Sequence, residues 1–312
     1  MLLSPVPSQW RVAARLRAAC TIADVVIELS TPRVDELDDA VRALRDWQDD
    51  LAPMQLHPGD LGWFWQFGTE AMAAALRIWR RDEQVLAVGF LDGPDVLRLT
   101  VAPEVRNDEV LAGQLVEDLA DPGRGVLPAG KVAVETPSGT LVQQQLTDSG
   151  WDLGESWTPL RRDLTEPVEQ PAMRIEVVGP EQASAFVAVH CSAWDSPRFT
   201  VELWHTMTTG PTYADARCLL GYDDQGIAVA GVTAWSVGPG KPGLLEPLGV
   251  HADHRGHGHA RAMCIAAAAA LQELGSSSVQ VCTESARVAA VATYKSAGFE
   301  PLPPQLDRSR DA

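Results

Sequence analysis

The chain has 312 residues, 46% of them hydrophobic, which is enough for two domains with substantial cores. Its 42 acidic side chains outnumber 25 basic ones and leave a net charge of −17, which excludes nucleic acid as a partner because a phosphate backbone needs a basic face. No apolar run reaches membrane-spanning length, the first residues lack a secretory pattern, and five cysteines (positions 20, 191, 218, 264 and 282) show no paired spacing, so reduced thiols and a cytoplasmic location are expected.

In chain order, residues 84–91 and 95–101 read as two strands around the turn Leu91-Asp92-Gly93-Pro94. The second ends at Val101, five residues before Arg106, and Asn107-Asp108-Glu109 follow. Further on, Leu146-Thr147-Asp148-Ser149-Gly150-Trp151 has the form of a helix end closed by glycine. Residues 164–172 are polar with two prolines and suit a linker between halves at 1–165 and 172–312. After it come a strand at 173–178, helices at 180–194 and 200–207, and strands at 217–222 and 227–237 joined by Asp223-Asp224-Gln225-Gly226.

The next strand, 244–250, runs into Val250-His251-Ala252-Asp253-His254-Arg255-Gly256-His257-Gly258-His259-Ala260-Arg261 and then into an alanine-rich helix. A glycine-rich turn between strand and helix is suited to phosphate. The first helical N–H groups have no intrahelical partner, the dipole favours negative charge, and Gly256 and Gly258 let a ligand approach the backbone. Arg255 adds a positive charge. The spacing is not that of a P-loop, and Arg261 stands where a dinucleotide fingerprint needs a third glycine. Histidines 251, 254, 257 and 259 raise a zinc reading, but the turn accounts for two of them as solvent-facing loop positions, no acid or cysteine sits at ligand spacing, and no metal is expected. A strand at 280–282 and a helix at 284–297 follow, ending in Tyr294-Lys295-Ser296-Ala297-Gly298-Phe299.

Arg255-Gly256-x-Gly258-x-Ala260 together with Tyr294-x-x-x-Gly298-Phe299 resembles the GNAT superfamily of acyl-CoA-dependent N-acetyltransferases, and the element order of the second half is similar to that family's. The resemblance implies an α/β fold with a mixed, mostly antiparallel sheet flanked by helices. It implies acetyl-CoA as acyl donor, a primary amine of a small molecule as acceptor, and direct attack of the amine on the thioester. It implies a bulge in the strand before the turn, where Pro247 has no N–H to place in a ladder, with Leu248, Gly249 and Val250 along the pantetheine arm and the amides of Arg255, Gly256, His257, Gly258, His259 and Ala260 around the pyrophosphate. Tyr294 then stands as general acid toward the thiolate, and Glu246 as base or amine-binding carboxylate, with water as the alternative base. The acceptor rim falls on Trp194, Phe199, Trp204 and Trp235. The tail after Phe299 is short, so the last strand is either abbreviated or supplied from elsewhere in the chain.

The first half repeats this pattern with its ligand residues removed. Val101 to Arg106 matches the step from Val250 to Arg255, Asn107-Asp108-Glu109 replaces Gly256-His257-Gly258, and Leu146 to Trp151 mirrors Tyr294 to Phe299 with leucine for tyrosine. Two acids at a phosphate position repel a pyrophosphate. The expectation is a tandem GNAT fold whose first copy is silent and either completes the substrate cleft or buries the edge strand of the other copy, acting as a monomer or homodimer. Two other readings stay open: transfer from another acyl or an aminoacyl donor, and a non-enzymatic CoA-binding regulatory module.

Overall fold

The computed structural model describes residues 26–311. The first half runs β1 (Glu28–Ser30), α1 (Leu37–Trp47), α2 (Pro58–Phe64), α3 (Thr69–Ala75), β2 (Leu76–Arg81), β3 (Gln84–Leu91), β4 (Val96–Val101), α4 (Glu109–Ala120), β5 (Val132–Glu135), α5 (Leu141–Asp148) and β6 (Asp152–Asp163). The second runs β7 (Arg174–Val177), α6 (Ala183–Trp194), α7 (Val201–Met207), β8 (Ala216–Tyr222), β9 (Ala228–Trp235), β10 (Pro242–Val250), α8 (His259–Glu273), β11 (Ser278–Glu284), α9 (Val288–Ser296), β12 (Glu300–Pro301) and β13 (Gln305–Arg310). The two series have the same order: strand, helices, three strands, helix, strand, helix, strand.

Local sequence explains the elements. In α1 the buried Leu37, Ala40, Val41, Leu44 and Trp47 recur at helical spacing, acids occupy the first turn and Arg45 the last. The alanine run of α8 forms helix readily and lies flat on the sheet, so Met263, Ile265, Ala267 and Leu271 are buried against Val229, Val232 and Val279. The last helix begins at Val288 rather than at 284, because β11 continues through Glu284 in register with Trp157 of β6.

All strands join one sheet in the order β1-β2-β3-β4-β5-β13-β6-β11-β10-β9-β8-β7, with β12 also pairing β6. Each half thus takes a closing strand from the other. β6 pairs β11 through residues 157–163, and β13 returns to sit between β5 and β6. The strand missing from the short tail is supplied by the first half. Residues near the linker are anchored too: Gln272 on α8 donates to the carbonyls of Leu164 and Glu166 at 2.7 Å, and Leu164 N–H donates to Ser277 O.

The first half also reaches over β10. Gly59 and Gly62 of α2 lie on the indole of Trp235, where a Cβ on either would come within 2.5 Å of the ring. His57 beside them is wholly buried. Its Nδ1 accepts from Gly59 N–H at 2.9 Å, so Nε2 carries the hydrogen and faces Pro242 O at 3.3 Å. Burial pushes this imidazole down to about 4, so it stays neutral. Lys241 caps the carbonyls of Asp46 and Gln48, and Arg45 pairs with Asp215 at 2.9 Å.

Candidate active site

The site begins as a break in β10. Against β9, Leu245 faces Ala234 and Leu248 faces Val232, so three steps on β10 match two on β9 and a bulge falls at Glu246-Pro247. Proline has no ladder N–H to lose there. The carbonyl of Glu246 is held by the indole N–H of Trp235 at 2.6 Å. On the other side β10 pairs β11 only from Pro242 to Leu244, and the strands then part. A cleft of about 500 Å³ opens between them, lined by Glu246, Pro247 and Leu248, by Val281 and Cys282, and by Ala260, Ala290 and Tyr294 from the helices. Trp63, His190 and Trp194 close its far wall.

At one end of the cleft stands the glycine turn. Gly256 and Gly258 have φ of +83° and +81°, a conformation that L side chains seldom adopt, and open space lies where their Cβ atoms would be. Gly258 is the N-cap of α8 and gives it no side-chain cap. Among the described residues, no acceptor lies within hydrogen-bond reach of the N–H groups of residues 255–261. A helix start left so exposed is an anion site. The two arginines keep their charge at the turn and also hold it in place. Arg255 Nη2 donates to Ala193 O at 2.7 Å, and Arg261 Nε donates to Ser296 O at 2.8 Å, so each pins the turn to a helix end. His257 is exposed and His259 half-buried, and these histidines join no group that could hold a metal ion among the described residues.

Glu246 and Tyr294 face the same cleft. Burial first, and then the nearby carboxylate of Asp60, raise the Glu246 carboxyl to about 8, with Arg98 opposing them. Burial likewise raises the Tyr294 phenol above its usual range, so it keeps its proton. Cys282 lies on the same wall, but burial pushes its thiol up to about 12 and leaves it without nucleophilic character near neutral pH.

Of the aromatic residues expected at the acceptor rim, Trp194 lines the cleft, 44% exposed and stacked on His190 with 4.3 Å between centroids. Gly249 lies beneath it, where a Cβ would meet the ring at 2.4 Å. Phe199, Trp204 and Trp235 are instead core, at 4%, 3% and 1% exposure. Their rings pack on Trp63, Tyr213 and α2 respectively, and a ring wholly out of solvent has no face left for an acceptor.

Behind Glu246 a second chamber of about 130 Å³ shares Glu246 and Cys282 with the cleft. It is built mainly by the first half. Arg98 of β4 holds Asp60 at 2.9 Å, Glu135 at 3.1 Å and Asp92, at the exposed rim, at 3.8 Å. Asp307 of the returning β13 accepts from Trp157 Nε1 at 2.8 Å. Sequence reasoning missed all of these groups. Their one signal was the Gly59 and Gly62 pair, spaced three apart for close packing.

Residues 184–299 match the sequence profile of the acetyltransferase (GNAT) family. They have the GNAT fold. No curated protein matches the chain. Among solved structures, a tandem GNAT protein from the clavulanic acid biosynthesis pathway is 15% identical with a TM-score of 0.60, over 92% of this chain and 98% of that one. A GNAT-family acetyltransferase from Colwellia psychrerythraea is 17% identical with a TM-score of 0.59, covering 92% and 100%. A GCN5-related N-acetyltransferase from Sphaerobacter thermophilus is 18% identical with a TM-score of 0.55, covering 91% and 95%. At these identities the likeness is one of fold, and it extends over both halves, not only the GNAT domain that the profile matches. Among the described residues no helix is long and apolar enough to cross a membrane.

Proposed function

We propose that the chain is an acyl-CoA-dependent N-acyltransferase that moves an acetyl group to a primary amine of a small molecule. The observation that carries this reading is the bulged β10 opening into one cleft with Glu246, Tyr294 and the uncapped turn of α8. The turn fits a pyrophosphate: its amides lack partners, and its glycines leave room for oxygen atoms. Leu248, Gly249 and Val250 stay paired with β9 but have no partner strand on the side of β11, which β10 leaves after Leu244, and that open edge would take the pantetheine arm.

The thioester supplies an activated acyl carbon. The new C–N bond forms as the C–S bond breaks, the amine gives up the proton its ammonium form carries and one more on collapse, and the thiolate takes one proton. Glu246, once ionised, accepts a proton from the amine. Tyr294, protonated at all ordinary pH, donates toward the sulfur.

The first half is, on this reading, a silent copy without its own donor. Asp108 occupies its helix start and accepts from the amides of Val110 and Leu111, both at 2.9 Å, so those groups are already satisfied. Its contribution is Asp60, Trp63 and Arg98 at the acceptor side.

The test is thiol release from acetyl-CoA with a panel of small amines, alongside the thermal shift given by acetyl-CoA. Amine-dependent release together with a shift is the expected result. A shift without release from any amine would leave a CoA-binding module, and no shift at all would remove the donor assignment.

A further inference from the structure

The chamber behind Glu246 has an imbalance that the transfer reaction does not use. Five carboxyl groups, from Asp60, Asp92, Glu135, Glu246 and Asp307, surround a single guanidinium, that of Arg98. Arg98 pairs with three of them. Among the described residues no cation lies within ion-pair distance of Glu246 or Asp307. Buried charge of one sign normally finds a partner, and repulsion between neighbouring carboxylates disfavours the ionised state. Consistent with this, Glu135 is raised to about 7 and Asp307 to about 6, in each case first by burial.

A second observation on the same wall is independent of charge. Thr136 is 6% exposed, lines the chamber, and its buried Oγ1 has no hydrogen-bond partner. Buried hydroxyls without partners are uncommon and point to a missing donor or acceptor. An ammonium group would supply donors to this hydroxyl and to the acids beside it, whereas an anion would meet an excess of carboxyl groups around one guanidinium that is already paired three times.

The position of the chamber gives it a role. Because Glu246 and Cys282 border both spaces, a molecule with its reacting nitrogen at Glu246 in the cleft projects its far end into the chamber. A volume of about 130 Å³ suits a short chain of a few carbons with a polar tip.

We propose that the acceptor is an amine bearing a second cationic group a few atoms from the first, and that Glu135, Asp307 and Thr136 hold this second cation. This rests on the N-acyltransferase reading and narrows its substrate class. It also gives the first half and β13 a function: they build the specificity pocket for a site whose donor lies in the second half.

The full chain is assayed for thiol release from acetyl-CoA with 1,3-diaminopropane and 1,4-diaminobutane beside propylamine and butylamine, and calorimetry measures binding of the same four amines. The expected result is a preference for a diamine over the monoamine of equal length of about tenfold or more, in binding and in kcat/KM, as one charge-assisted contact gives. Glu135→Gln and Asp307→Asn are each expected to bring that ratio toward one. Equal binding of diamines and monoamines by the wild type overturns the proposal without recourse to a variant, and so does a ratio that both substitutions leave unchanged. A preference seen in binding while no amine releases thiol upholds the chamber and refutes the N-acyltransferase reading. Release from monoamines and diamines alike does the opposite.

Discussion

The two strand-to-helix turns of this chain share a plan and end in opposite states. In each a strand stops at a valine, Val101 or Val250, a single 3-10 turn follows at Pro103–Val105 or Ala252–His254, and an arginine comes next. The helix of the first half then starts on Asp108, whose own carboxylate fills its amides. That of the second half starts one position later, on Gly258, which leaves its amides open. The strands differ in the same sense: β4 pairs β3 without irregularity, whereas β10 bulges at Glu246-Pro247. Amides at a helix start are thus left open or filled through a handful of backbone atoms, while packing on both sides is kept.

The comparison breaks most directly if the first half's solution is placed in the second. Gly258→Asp puts a carboxylate at the turn and a Cβ at φ +81°. Losing two or three charge-assisted hydrogen bonds and adding repulsion should weaken acetyl-CoA binding by about 10³-fold, read by calorimetry. Unchanged affinity would show that the turn is not the donor site.

Glu246 has no counterpart acid in a bulge of the first half, and Glu246→Gln is expected to lower kcat/KM for the amine by about 10²-fold while acetyl-CoA still binds. Its pH dependence has a definite sign. A carboxyl raised to about 8 is protonated at neutral pH and cannot accept a proton, so wild-type kcat/KM should rise as pH increases through 8. In the variant that limb should move up toward the acceptor's own ammonium. The same shift acts on stability: from about pH 4.5 to 8 the folded chain keeps a proton that the unfolded chain has released, so wild type should lose stability with rising pH relative to Glu246→Gln. A flat difference between the two melting curves would contradict the burial of this group.

Tyr294 and Leu146 form the third contrast, and this one was visible in the sequence. Both helices end alike: Phe299 N–H bonds Tyr294 O and Trp151 N–H bonds Leu146 O, each at 3.1 Å, with Gly298 and Gly150 at positive φ. Tyr294→Phe should lower kcat by about tenfold or somewhat more, with little change in donor binding, measured by steady-state thiol release. An unaltered kcat would leave the phenol a packing group.

Legibility followed locality. The turn at 255–260, the Tyr-x-x-x-Gly-Phe end and the strands around Asp92 are written in adjacent residues, and turns and caps obey short-range rules. What the sequence concealed depends on contacts far apart in the chain. Beyond the spacing of Gly59 and Gly62, nothing near Asp60 signals that this helix packs on Trp235, some 175 residues later. Nothing near Asp307 signals that β13 crosses back to β5. The tryptophans misled for a related reason. An indole reads the same whether it lines a cleft, as Trp194 does, or fills a core, as Trp204 and Trp235 do, and only packing decides.

The smallest expected effect completes the contrast from the other side. Asp108→Ala removes the acid that closes the first half's turn, and loss of an N-cap costs about 1 kcal/mol of stability. It should not create a second donor site. β4 would still lack a bulge, Leu146 would still replace the phenol, and neither Asn107 nor Glu109 offers the open glycine backbone of 256 and 258. Calorimetric titration with acetyl-CoA should therefore give one site per chain in the variant, as in the wild type. If instead two sites appeared, a single carboxylate would be all that separates the halves, and the first copy would be a donor site held shut rather than one that has been dismantled.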